Sequence, residues 1–253
     1  MKYLKGQIKG NHKELNVVLL NDLHFGSNAV DYDLLNRIFD FIDNNRDNTR
    51  ILINGDLIEG VTKQSKGDLY ELKLSPEEQI ELAVKLFKNY ADLLDAVVIG
   101  NHDWRIKEET SIDVIKMFCK ELGILDKYAG YECLVGYSLN KNFYSIEMYH
   151  GVGGGGTIGS VERNLKRFRK TTADIMYCGH YHKEVAIPFV EYNIDPFNHV
   201  VKQSKKWLIC GNTITKTADY AKKFRYAEGI PSQAVLKLSG ATRKKGIEIC
   251  WIR

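Results

Sequence analysis

Five of the seven histidines in this 253-residue chain lie just beyond an apolar run, most of them beside a carboxylate, an amide or a second histidine. Asp22-Leu-His24 follows Asn16-Val-Val-Leu-Leu-Asn21, and Gly55-Asp56 follows Arg50-Ile-Leu-Ile-Asn54. Gly100-Asn101-His102-Asp103 follows Ala96-Val-Val-Ile99. His150-Gly151 follows a run ending at Tyr149, and Gly179-His180-Tyr181-His182 follows one ending at Cys178. Only His12 and His199 fall outside this pattern, and they are given no role. Carboxylate, imidazole and amide oxygen suit manganese, iron, zinc or magnesium. No cysteine sits among these clusters, which argues against a thiolate zinc site. On an extended segment Asp-x-His and His-x-His place both side chains on one face, so each pair could chelate. One bridging carboxylate would let two ions sit roughly 3.5–4 Å apart. Any one of these short motifs arises by chance; the ordered set, each member at the end of an apolar run, does not.

The runs themselves read as buried strands, and the segments between them read as helices. Asp31 to Asn44 has apolar residues at helical spacing. Ser75-Pro76-Glu77-Glu78 combines a Ser cap, Pro at the first helical position and a Glu three residues after the cap, which starts a helix expected to reach about Leu94. Ser111 to Leu122 is a third helix, stopped by Gly123. Strand and helix thus alternate in the first half, the pattern of an α/β sheet with crossover helices. The second half is richer in strands, around residues 133–139, 143–149, 175–178, 185–192, 200–210, 233–238 and 247–251, interrupted by one helix from about Ser160 to Lys170. Five histidines then lie at C-terminal strand ends, where open α/β sheets bind ligands. No repeat, low-complexity tract or linker divides the chain, so one domain over 1–253 is expected.

The series Asp22-x-His24, Gly55-Asp56, Gly100-Asn101-His102-Asp103, His150 and Gly179-His180-x-His182 resembles the calcineurin-like metallophosphoesterase superfamily, in that family's order, over positions 17 to 182. The resemblance implies an α/β (α+β) fold, a four-layer αββα sandwich of two mixed sheets flanked by helices. It implies that Asp22, His24, Asp56 and His182 hold one divalent ion, and that Asp56, Asn101, His150 and His180 hold a second, with Asp56 bridging. Manganese is the favoured metal, with iron, zinc, magnesium or nickel as alternatives. His102 would be the non-ligand catalytic histidine, oriented by Glu59 or by its rival, the adjacent Asp103. Two cations would polarise phosphoryl oxygens and lower the pKa of a bridging water, which would attack in line. The pattern departs from protein serine/threonine phosphatases: Gly60 stands where they carry Arg, and Asp103 where they carry Glu.

Composition bounds the partners. No apolar run approaches the roughly 20 residues of a membrane span, and the lysine-rich start lacks a signal-peptide core. Five scattered cysteines without a CxxC pair suit a reduced, cytoplasmic setting. From Ser160 onward 18 Lys and Arg face 8 Asp and Glu, a charge of +10, which leaves −6 for the rest. A basic C-terminal part suits a polyanion. Arg163, Lys166, Arg167, Arg169 and Lys170 could line a groove for a nucleic-acid backbone or form a solvated helix face. Lys216 to Tyr226 interleaves basic and aromatic residues, which suits base stacking or an amphipathic cap. The glycines of 151–159 could bring backbone N–H groups to a phosphate, or merely let a loop pass the metals. A phosphodiester substrate, DNA or RNA among the candidates, is the leading expectation. A phosphomonoesterase or cyclic-nucleotide phosphodiesterase is the alternative, and a metal-free scaffold the third.

Overall fold

The computed structural model describes residues 1–8, 10–62, 74–216, 230–241 and 245–253. Within them the strands are β1 (Lys2–Lys5), β2 (Glu14–Leu20), β3 (Thr49–Asn54), β4 (Leu94–Val98), β5 (Tyr128–Gly130), β6 (Glu132–Leu139), β7 (Asn142–Tyr149), β8 (Ile175–Cys178), β9 (Val185–Asp195), β10 (Val200–Cys210), β11 (Gln233–Ser239) and β12 (Ile247–Ile252). The helices are α1 (Tyr32–Asn44), α2 (Pro76–Phe87), α3 (Asn101–Thr110), α4 (Val114–Glu121) and α5 (Ile158–Phe168). One six-stranded sheet has the order β1-β6-β7-β8-β10-β9, the other β12-β11-β2-β3-β4-β5. Both are mixed: β2, β3, β4 and β5 are parallel neighbours, as are β7, β8 and β10, while an antiparallel hairpin, β9–β10 or β11–β12, forms one edge of each.

The four layers follow from which faces are apolar. In β2, Val17 and Leu19 point toward the second sheet, where they meet Val135, Tyr137, Ile146 and Tyr177. Val18 and Leu20 point the other way, onto Leu34 and Ile38 of α1 and Phe87 of α2. A strand buried on both faces reads as an unbroken apolar run rather than an alternation. The outer face of the second sheet, through Met176, Cys178, Leu208 and Cys210, is covered by Val161 and Leu165 of α5. The expected αββα sandwich is therefore the observed one. Among the described residues, no helix is long and apolar enough to cross a membrane.

Several boundaries differ from the sequence reading. The Ser75 cap and the Glu78 return bond form as expected, but α2 gives way at Lys88 to a 3-10 segment ending at Leu93. Thr157, not Ser160, caps α5. The segment read as one helix from Ser111 opens with Ser111 in the left-handed region, and α4 starts after its Asp113 cap. An unexpected helix, α3, begins within the Gly100–Asp103 motif.

Between the sheets lies one buried charge pair. Arg50 of β3 donates from Nε and Nη2 to Asp95 of β4 at 2.9 and 2.7 Å, and Tyr137 of the other sheet donates to the same carboxylate at 3.0 Å. Removing one partner of such a pair strands a charge in a dry interior. Asp95→Ala is expected to cost about 3–5 kcal/mol in urea unfolding. The exposed pair Lys166–Glu162 on α5 should cost under about 1 kcal/mol. Equal costs would refute this placement of the buried charge.

Candidate metal centre

The ends of β2, β3 and β4 and of β7 and β8 meet at one edge of the sandwich, and the loops that leave them lock together. Leu23 N and His24 N both donate to Asp56 O, at 2.9 and 3.0 Å. Asp22, His24, Asp56, His180 and His182 all have positive φ, between 47° and 70°. The extended geometry expected for Asp-x-His and His-x-His is therefore not what forms. Each loop turns left-handed instead. Asp and His tolerate that region better than most residues, yet strain of this kind, on the order of 1–3 kcal/mol each, persists only where the surroundings enforce it. Two glycines permit the approach of the loops. A Cβ on Gly100 would stand 2.1 Å from Asp56 Oδ1, and one on Gly179 would stand 2.6 Å from Asp22 Oδ2.

The side chains converge in three clusters whose ligand atoms lie within 4.8 Å of one another: Asp22, His24 and His182; His24, Asp56 and His102; Asp56, His150 and His180. His24 Nε2 faces His182 Nε2 at 3.3 Å, and Asp22 Oδ1 lies 3.1 Å from His182 Nε2. Asp56 Oδ2 lies 3.1 Å from His150 Nε2. The other carboxylate oxygens take backbone amides: His180 N donates to Asp22 Oδ2 and His102 N to Asp56 Oδ1, each at 2.8 Å. Asn101 Oδ1 sits 2.7 Å from His180 Nδ1. All seven expected ligands are thus brought together, with His182 at the open side.

The donor set fits divalent metal. His150 Nε2 is buried without a hydrogen-bond partner. Two imidazole nitrogens 3.3 Å apart match two ligands of one ion at about 2.0–2.1 Å each. The outward ring nitrogens are held as metal-binding histidines usually are. His150 Nδ1 donates to Asn54 O at 2.6 Å, and His180 Nε2 to Gly153 O at 2.8 Å.

The model for calcineurin-like phosphoesterases matches residues 15–184. The chain belongs to the calcineurin-like phosphoesterase family. No curated protein matches it. Solved structures with a similar trace include the Zn2+ complex of Vps29 from Entamoeba histolytica, at 12% identity and TM-score 0.43, covering 94% of this chain and 100% of that one. The calcineurin-like phosphoesterase YfkN from Bacillus subtilis gives 12% and 0.43, covering 95% and 90%. NAD nucleotidase from Haemophilus influenzae gives 12% and 0.42, covering 95% and 51%.

In this phosphoesterase His102 is the ring outside the two outer clusters. Its Nδ1 donates to the backbone carbonyl of Glu59 at 2.6 Å. The Glu59 carboxylate, expected to orient His102, is 3.9 Å from that nitrogen and 3.0 Å from His24 Nδ1. The latter approach is short but off the line of an ideal hydrogen bond. Asp103, the rival partner, turns away: it accepts from Gly100 N at 2.9 Å and Leu57 N at 3.1 Å, bracing the loops after β3 and β4. Burial and the charge of Asp56 raise the Asp103 pKa to about 7, against the pull of the Gly100 and Ile58 amides. Burial alone would lower the His150 pKa, but Asp56 and Asp22 outweigh it and lift it to about 9. A ligand histidine must shed this proton, so metal loading would weaken as pH falls. Burial opposes ionisation of Asp22 and Asp56, yet the surrounding histidines hold both below the usual carboxylate range.

A ring of polar residues supports the site. Asn21 bonds Asp22, accepts from Tyr177 Oη at 2.6 Å, and is tied by its backbone to Gln233 of β11. Asn54 donates to Tyr149 O and Tyr177 O, joining the sheets at the point where His150 enters. Their only signal in the sequence is an asparagine ending each apolar run. In the glycine loop the bonds run through carbonyls: Gly153 O takes His180, Val152 O takes Tyr181 Oη, and Gly154 O takes Asn164. These bonds give the loop a positioning role.

Proposed function

We propose that this phosphoesterase uses two divalent ions, manganese first among the candidates, to hydrolyse a phosphodiester, with a nucleic acid or nucleotide as substrate. Asp22, His24, Asp56 and His182 would hold one ion, and Asp56, Asn101, His150 and His180 the other. The observation that carries this reading is the place of Asp56, whose carboxylate belongs to a cluster with His24 and His102 and to one with His150 and His180, while His24 also belongs to the cluster of Asp22 and His182. When bound, such ions supply Lewis acidity toward the phosphoryl oxygens and a nucleophile derived from water. The chain's own residues do the rest. Backbone carbonyls hold the outward nitrogens of His150 and His180, Asn21 and two backbone amides hold the carboxylates of Asp22 and Asp56, and His102 holds or gives a proton at Nε2.

The charges of the basic helix fall into two groups. On α5 and just after it, Lys166 pairs with Glu162, Arg169 with Glu191 and Lys170 with Glu132, each at 2.6 Å. These charges are partly spent within the molecule, which favours a small phosphoester as the second reading. Arg163 and Arg167 are exposed, and Arg167 stacks over Phe168. The basic–aromatic stretch 216–226 lies, beyond Lys216, outside the described residues. With manganese, bis-p-nitrophenyl phosphate should be cut in preference to p-nitrophenyl phosphate. Replacing Arg163 and Arg167 by Ala should raise KM for DNA or RNA and reduce the salt slope of binding by about 2, since each arginine would neutralise one phosphate. Hydrolysis of the small diester should not change. An unaltered slope would remove α5 from the substrate path, and preference for the monoester would overturn the diesterase reading.

A further inference from the structure

Two of the ligand-candidate rings, His150 and His180, rest their outward nitrogens on neutral backbone carbonyls, while a third, His24, faces a carboxylate. That carboxylate belongs to Glu59, which comes three residues after Asp56. Its backbone oxygen meanwhile holds His102 Nδ1 at 2.6 Å. The two rings it serves stand edge to face, with centroids 4.5 Å apart and planes at 82°. One residue therefore touches both rings through different atoms, the peptide oxygen for His102 and the side chain for His24.

We infer that Glu59 is a positioning residue for the metal position of Asp22, His24 and His182, and that it makes this the tighter of the two positions. A carboxylate 3.0 Å from Nδ1 favours a proton on that nitrogen, and so the tautomer that presents the Nε2 lone pair inward. It also strengthens that nitrogen as a donor more than a neutral carbonyl does. The peptide oxygen has no such effect on the metals, and it survives any change of side chain. Substitution at Glu59 thus separates the two services: His102 keeps its partner, and His24 loses its own. The inference rests on the two-ion reading proposed above.

The test is manganese binding by calorimetry on Glu59→Gln, with the metal-free protein as starting material and no substrate present. Gln keeps the size of the side chain and removes its charge. The tighter of two binding events should weaken by about 10–100-fold, the usual effect of removing such a support, and the weaker event should stay in place. At saturating manganese, kcat on a small diester should return to near the unsubstituted value. Glu59→Ala should show the same order with a larger shift. Unchanged metal binding with a reduced kcat at saturating metal would overturn the inference, because the carboxylate would then serve His102. Equal weakening of both events would overturn it too, as it would mean a general loosening of the site. If the unsubstituted protein binds no metal, the two-ion reading itself fails; if it binds two ions and Glu59→Gln leaves both untouched, only this inference does.

Discussion

Asp56→Asn is expected to cost most of the metal affinity and nearly all of the activity, a larger loss than any other single change at the site. The carboxylate is buried, with Oδ1 fixed by the amide of His102 at 2.8 Å and Oδ2 turned to His150 Nε2 at 3.1 Å. It stands in two ligand clusters at once. Asn replaces one anionic oxygen with an NH2 group that cannot ligate and removes the charge offsetting the cations. If the metals stabilise the developing charge by several kcal/mol, losing them lowers the rate by at least about 10³-fold at 1.36 kcal/mol per decade. The measurement is metal content after purification with manganese, alongside diester turnover. Two ions retained, with full activity, would sink the assignment of Asp56 as the shared ligand. One ion retained would instead mark Asp56 as the ligand of a single position.

The sandwich was legible where burial leaves a one-dimensional trace. β2, β3 and β4 are buried on both faces, so each is an unbroken apolar run, and a polar motif at the end of such a run marks the ligand edge. Where burial is partial the trace fades. α3 has no such signature because its sequence, Asn101 to Thr110, buries only Asp103 and Ile106, which leaves no apolar stripe to detect. The one local sign is Asp103 three residues after Gly100, whose carboxylate returns to the Gly100 amide. β1 is a four-residue edge strand with one buried side chain, Leu4, and reads as a polar leader.

Site membership was legible because metal chemistry restricts residue types, whereas the wiring was not. Nothing in the spacing tells that Glu59 turns its carboxylate to His24 and its peptide oxygen to His102, since backbone acceptors carry no sequence signature. Nor does the chain announce that Asp22 and His24 adopt left-handed backbone. That conformation comes from the loop after β2 lying on Asp56 O, a meeting of residues more than 30 positions apart. The supporting Gln233 comes from the tail, outside the matched family span, and enters only because β11 pairs antiparallel with β2.

His102→Ala should leave both ions in place while turnover falls by about 10²–10⁴-fold, the usual worth of a general acid. The ring belongs to a cluster with His24 and Asp56, so a ligand role is the rival to be excluded. Its Nδ1 is committed to a carbonyl, which can only accept, so Nδ1 carries a proton and Nε2 is the nitrogen that titrates. Burial holds the His102 pKa below its usual value, against the pull of Asp56 and Glu59. Nε2 is then unprotonated at neutral pH until an anionic substrate arrives and raises its affinity for the proton. The alkaline limb of kcat, which reports the bound complex, should accordingly lie at higher pH than that of kcat/KM, which reports the free enzyme. Both limbs should flatten in His102→Ala. The loss should also depend on the leaving group. An activated aryl oxide departs with little help, so p-nitrophenyl diesters should suffer less than a nucleoside diester whose alkoxide needs a proton. Equal losses on both substrates would mean that His102 stabilises charge without transferring a proton. Loss of an ion in the variant would make it a ligand.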